Sequence, residues 1–148
     1  MAGFGATVDK FIGDCVLAYW TGTSPTIRKK ALLAARELIQ ATETIIQGQE
    51  EIFAEHDIHL QIGVGLHLGS VAHGAMSKGT FTLLGDAVNV TFRLEALTRT
   101  IGSDLIVSDD FVSGWDEGAA YFKAEGSHEI KGRVLPLLVH SVASWPEL

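Results

Sequence analysis

The twelve residues Val8-Asp9-Lys10-Phe11-Ile12-Gly13-Asp14-Cys15-Val16-Leu17-Ala18-Tyr19 decide how the rest of the chain is read. Thr, Val, Phe, Ile, Tyr and Trp are enriched on both sides of Gly13, which predicts strands over Ala6 to Phe11 and Cys15 to Trp20, joined as a hairpin. The Gly13-Asp14 turn carries two readings. In one, Asp14 only makes the turn. In the other, the strands hold its carboxylate toward solvent, where it can bind a hard cation that takes one or two carboxylates together with substrate phosphates. Asp9 on the same hairpin is a candidate second carboxylate, or, like Asp14, an ordinary exposed charge.

The chain has 148 residues, the size of one domain, and at 47% apolar it has material for a sizeable core. A formal net charge of -7 argues against a broad nucleic-acid or anionic-membrane surface, while leaving room for a local basic pocket. With one cysteine, Cys15, no intramolecular disulfide can form, which suits a reducing compartment. No run of eighteen apolar residues and no signal-peptide pattern follow Met1, so a cytoplasmic location is expected. Strand-like sequence is reached within a few residues, and the chain is expected to begin inside a domain.

Ser24-Pro25 marks a helix start, with serine as N-cap and proline in the first turn. Apolar residues then recur at three- and four-residue steps to about His56, with Gly48 a weak point. His59 to Leu68 and Ser70 to Ala75 read as two strands joined at Gly69-Ser70, and Met76 to Thr80 as a loop. The frequent glycines there (Gly63, Gly65, Gly69, Gly74) permit close approach of another element. Phe81 to Leu84 reads as a short strand and Ala87 to Arg99 as a helix stopped by Gly102. Asp104 to Val107 is a strand, Ser108 caps a short helix through Val112, and Tyr121 to Ile130 and Val134 to Val142 form a last antiparallel pair. The order predicts an α+β sandwich with helices on one face of the sheet.

Asn89 and Arg93 are one helical turn apart, on one face. Arg93 offers a planar fork suited to phosphate, or it is a solvated surface residue. Asn89 offers an amide to a sugar or ring oxygen. Asp86, just before them, reads first as a helix N-cap and second as a ligand. Lys131 and Arg133 flank Gly132 at a turn that can close over phosphates, or are ordinary turn residues. His67 and His73 fall on the Gly-rich hairpin, but without a third ligand they make a poor zinc site.

Taken together, these segments resemble the catalytic domain of class III nucleotidyl cyclases. Lys10-Phe11-Ile12-Gly13-Asp14 is similar to that family's metal-bearing hairpin. Gly63-Val64-Gly65-Leu66-His67-Leu68-Gly69 is similar to its glycine-rich strand. Phe81 through Glu95, with Gly85-Asp86-Ala87-Val88-Asn89 and Arg93, is similar to its substrate helix, and Lys131-Gly132 to its final hairpin turn. The resemblance covers nearly the whole chain in the family's order. It implies a ferredoxin-like nucleotidyl cyclase sandwich over residues 1–148, N-terminally incomplete, because the family's first metal aspartate lies on a strand before this hairpin. It implies Asp14 as a metal ligand for one of two Mg²⁺ or Mn²⁺ ions, Lys10 and Thr82 as purine contacts, Asn89 as the ribose contact and Arg93 as the group that stabilises charge on the α-phosphate. Lys131 and Arg133 would contact the terminal phosphates. It implies ATP as substrate, cyclic AMP as product and a homodimer with sites between the chains, with no nucleic-acid partner and no membrane contact from this segment. Two other readings remain: a non-catalytic nucleotide-binding or dimerising regulatory domain of the same fold, and a guanylate cyclase.

Overall fold

A computed structural model describes residues 2–57, 60–77 and 80–147. Thr7–Ile12 (β1) and Cys15–Tyr19 (β2) form the opening hairpin. Pro25–Gly48 (α1) and Glu50–Glu55 (α2) follow. Then come Val64–Leu66 (β3), Ala72–Ser77 (β4), Thr80–Leu84 (β5) and the helix Asp86–Ile101 (α3). Leu105–Ser108 (β6), Asp109–Val112 (α4), Phe122–His128 (β7) and Leu137–Val142 (β8) complete the chain. The strands form two ribbons, β1-β2 and β4-β5, and one four-stranded sheet in the order β3-β6-β8-β7.

Ile12 pairs with Cys15, so Gly13 and Asp14 alone make the turn. Gly13 has φ 59°, a region glycine reaches without Cβ strain and the one that the first position of a tight hairpin turn demands. The register slips between Val8 and Lys10, so Asp9 sits at a bulge, a feature that re-aims a side chain.

The Ser24 hydroxyl caps α1, accepting the Ile27 N–H at 3.3 Å. Buried residues of α1 run from Ala31 to Ile39, and beyond Ile39 neither it nor α2 contributes a buried residue. The helix breaks at Gln49, next to the Gly48 weak point.

The central strand β6 shows why the sheet needs cover on both sides. Leu105, Ile106 and Val107 are all buried, without alternation. Leu105 and Val107 join α1 residues Leu32, Ala35 and Ile39 in one cluster, with Phe111 and Trp115. Ile106, whose side chain points the other way, joins Val90 and Leu94 of α3 with Leu137 and Val139 of β8. The α+β class stands, but α1 and α3 take opposite faces rather than sharing one.

The expected hairpin over His59 to Ala75 does not form. Its start at His59 lies outside the described residues, and β3 is only three residues long. It pairs in parallel with β6, whereas β4 pairs antiparallel with β5. The expected loop Met76 to Thr80 is largely strand, with Lys78 and Gly79 outside the described residues. His67 and His73 therefore belong to different segments, one just after β3 and the other on β4.

Gly65 of β3 gives room to α3. A Cβ on Gly65 would lie 2.6 Å from the Glu95 amide nitrogen and 2.7 Å from the Thr91 carbonyl, so α3 rests directly on the strand. Gly85 takes the cap position of α3 and Asp86 is its first helical residue, with no side-chain capping bond. Asp86 thus stands in the first turn, where its charge faces the positive end of the helix, and the N-cap reading is corrected.

Candidate active site

Each residue singled out in the sequence lands on a defined element. Asp14 is exposed at the hairpin turn and Lys10 half-buried on β1. Thr82 lies on β5 opposite Gly74; its side chain lies outside what is described. Asn89 and Arg93 are both exposed, one turn apart on α3. Lys131 and Arg133 follow β7 at a turn closed by the Arg133 N–H on the Ile130 carbonyl (3.0 Å), and both line a recess of about 480 Å³ with Glu129 and Pro136.

Asp9 is not exposed as Asp14 is. Its side chain is 6% exposed and its carboxylate lies 3.5 Å from the Lys10 ammonium. It sits at the bulge, a feature that re-aims a side chain. Asp14 is therefore the exposed carboxylate of the hairpin. As a hard, charged oxygen donor on a rigid turn it fits a magnesium or manganese ion that fills its remaining positions with substrate phosphate and water. Among the described residues no group of three or more His, Cys, Asp or Glu is arranged to hold a metal.

Electrostatics place the hairpin turn relative to α3. Burial, then the charges of Glu95 and Asp14, push the Cys15 thiol up. Arg99 is held above its ordinary value first by its hydrogen bond to Glu95 and then by the charges of Glu95 and Asp14. The charge of Asp14 thus reaches Arg99, at the end of α3. Arg93 lies six residues earlier, about 9 Å along the helix axis at 1.5 Å per residue.

A second cleft, of about 450 Å³, opens between β2, the strand β3 and the first turns of α1 and α3, lined by Leu17, Leu66, His67, Ala87, Thr91 and others. Lys10, Asp14, Asn89 and Arg93 are not among its lining residues. In one copy of the chain the candidate residues sit on three elements: the hairpin tip, the exposed face of α3 and the loop after β7. Next to Asp14 the tip also shows Phe11, 73% exposed, and Ile12, 50% exposed. Apolar side chains so placed mark a contact surface.

His67 is the group whose setting the sequence did not reveal. Its Nδ1 lies 2.7 Å from the hydroxyl of Ser108, which is fully buried and caps α4 by accepting the Phe111 N–H at 3.3 Å. Burial holds the imidazole below its ordinary value, against the charges of Asp110 and Asp86 and with that of Arg133. The signal in the sequence was a cap serine at the end of one strand and a histidine at the end of another. Only the parallel pairing of β3 with β6 brings the two together.

Residues 8–143 match the family described as the adenylate and guanylate cyclase catalytic domain. The photoactivated adenylate cyclase subunit beta of Euglena gracilis is 30% identical over 149 residues, covering 99% of this chain and 17% of that protein. Adenylate cyclase 2 of Rhizobium meliloti (strain 1021) is 26% identical over 145 residues, 95% of this chain and 39% of that protein. In three dimensions the chain is similar to a bacterial light-regulated adenylyl cyclase, with a TM-score of 0.75 and 30% identity, over 96% of this chain and 40% of that one. The chain spans less than half the length of each of these relatives.

Proposed function

The chain belongs to the family of adenylate and guanylate cyclase catalytic domains, and we propose that it is an adenylate cyclase domain, working in signal transduction as a homodimer that converts ATP to 3′,5′-cyclic AMP and pyrophosphate. The observation that carries this reading is the exposed pair Asn89 and Arg93, one turn apart on a helix that rests on the backbone of β3. A rigid helix is the support a transition-state contact needs.

The reaction forms a bond from the ribose 3′-oxygen to the α-phosphorus and breaks the bond from that phosphorus to the bridging oxygen of pyrophosphate, while the hydroxyl proton passes to water. Arg93 lays its guanidinium fork against the α-phosphate oxygens, where charge builds, and acts by electrostatics fixed in advance. Asn89 orients the ribose so that the 3′-oxygen is in line. Lys10 and Thr82 read the purine, donating to a ring nitrogen and accepting from the amino group of adenine. Lys131 and Arg133 hold the terminal phosphates. Asp14 would hold a magnesium or manganese ion, one of two expected, whose charge would neutralise the triphosphate and activate the hydroxyl.

The proposed homodimer assembles these groups from two copies. The hairpin tip of one copy brings Asp14, flanked by the exposed Phe11 and Ile12, to the α3 face of the other, which supplies Asn89 and Arg93. Cytoplasmic work belongs to the same proposal; among the described residues no helix is long and apolar enough to cross a membrane. The test is to supply ATP with magnesium or manganese and measure cyclic AMP and pyrophosphate. Metal-dependent release of both supports the reading. ATP binding without product overturns it in favour of a non-catalytic regulatory domain, a reading that the solitary exposed carboxylate at Asp14 keeps in view. GTP turnover in place of ATP would make the domain a guanylate cyclase.

A further inference from the structure

We propose that His67 is a positioning residue for α3: tied through Nδ1 to the buried Ser108 hydroxyl and pressed across Gly69 toward Ala87, it fixes the first turn of the helix that presents Asn89 and Arg93. The inference rests on the cyclase reading for the consequence in turnover, and on geometry alone for the placement.

Three contacts carry it. Ser108 is buried at the end of the central strand β6 and is held there by its cap bond to Phe111, itself part of the core cluster with α1. His67 Nδ1 lies 2.7 Å from that hydroxyl, so the ring is referenced to the sheet and not to solvent. A Cβ built on Gly69 would lie 3.0 Å from His67 Nε2 and 2.8 Å from the Ala87 Cβ. The imidazole and the second residue of α3 thus both border the place a Gly69 side chain would take and leave no room for one. Farther along, α3 is seated on β3 through Gly65, near Thr91 and Glu95. His67 supplies the corresponding seat two turns earlier, beside Asn89.

The Ser108 oxygen accepts the Phe111 N–H, and we assign its own hydrogen, buried from water, to Nδ1, 2.7 Å away. In that assignment Nδ1 carries no proton and Nε2 does. The charged groups around the ring are Asp110 on α4, Asp86 on α3 and Arg133 on the loop after β7. Burial is the largest influence and keeps the ring neutral. Adding a proton at Nδ1 replaces an accepted hydrogen bond with two opposed hydrogens and forces the serine hydroxyl to turn.

The test compares His67→Leu, which removes the acceptor, with His67→Asn, whose amide oxygen can reach the Ser108 hydroxyl. Two readouts are taken on the whole protein: steady-state cyclic AMP formation across pH, and amide hydrogen exchange over Asp86 to Arg93. In His67→Leu, kcat is expected to fall about tenfold with the KM for ATP changed by less than about twofold. Exchange over Asp86 to Arg93 should quicken while exchange over β6 is unchanged. His67→Asn should retain most of the turnover and the slow exchange, and show a shallower decline of kcat on the acid side. Unchanged kcat and unchanged exchange in His67→Leu overturn the proposal, as does an acid-side decline as steep in His67→Asn as in the unaltered protein. Should the leucine variant not fold, the asparagine variant decides by the same two measurements. Should the unaltered protein make no cyclic AMP, the cyclase reading fails, and the exchange comparison still decides whether His67 holds α3.

Discussion

Arg93 is exposed on α3, and among the candidate residues it is the one whose proposed role lies wholly in the transition state. Replacing it with alanine is expected to lower kcat by about 10²- to 10³-fold, with little change in the KM for ATP, as for loss of one preorganised donor to a developing negative charge. Steady-state assays of cyclic AMP formation measure both constants; a change confined to KM would return Arg93 to the surface. His67 makes a second prediction, about folding. Its folded-state pKa lies below the ordinary 6.5, so between those two values the unfolded chain holds more protons than the folded one, and acid favours unfolding. The stability that neutral His67 contributes is complete above about pH 6.5 and declines as the pH falls below it. Thermal melts from about pH 7 to about pH 5 should show Tm falling, with a shallower fall in His67→Asn. Equal slopes in the two proteins would locate the acid sensitivity elsewhere.

At the scale of elements, the seat of α3 on β3 is the feature to perturb. A Cβ on Gly65 meets backbone on two sides, the Glu95 nitrogen and the Thr91 carbonyl, neither of which can swing aside as a side chain would. Gly65→Ala is therefore expected to cost about 2–3 kcal/mol, like other overpacked sites, and to lower Tm by roughly 5–10 °C in a chain of this size. Gly48→Ala is the control: its Cβ meets nothing within 4 Å at the end of α1, and the change should be neutral or stabilising by up to about 1 kcal/mol. Calorimetry on the two variants checks the contrast. These glycines also show how much of the fold was legible beforehand. The opening hairpin, the Ser24-Pro25 helix start and the Ser108 cap were readable because each depends on residues within a few positions of one another. The glycine-rich run pointed correctly to close approach by another element. It misled as to pairing, because β3 chose β6, some forty residues away, as a parallel partner, and no local alternation encodes that choice. The two-sided burial of Leu105, Ile106 and Val107 was visible only as an apolar run; that it needs a helix on each face became clear once both clusters were seen.

At the scale of the whole molecule, the dispersal of the candidate residues becomes the argument. Residue types and local spacing made Asn89, Arg93 and Asp14 recognisable, but no spacing within one chain says whether they meet. In the folded chain the charge of Asp14 reaches Arg99, at the far end of α3, and the cleft beside β2 and β3 is lined by none of the three. In the proposed homodimer a symmetric pair of copies would place each hairpin tip against the partner's α3 face, so that one dimer would hold two equivalent sites. This makes a prediction that a site within one chain could not meet. Asp14→Asn and Arg93→Ala should each be nearly inactive alone. When equal amounts are mixed and allowed to exchange, half the dimers are mixed, and in each of these one site combines an intact Asp14 from one copy with an intact Arg93 from the other. Recovery to about a quarter of the unaltered activity is therefore expected. The measurement is cyclic AMP formation in the mixture against either variant alone, with sedimentation confirming that dimers form. If the mixture stays as inactive as its components while dimers exchange freely, the two residues act within one chain. The exposed Phe11 and Ile12 beside Asp14 would then need another partner. A recovered quarter, in contrast, would assign these apolar side chains to the contact that brings the hairpin tip to the partner's helix.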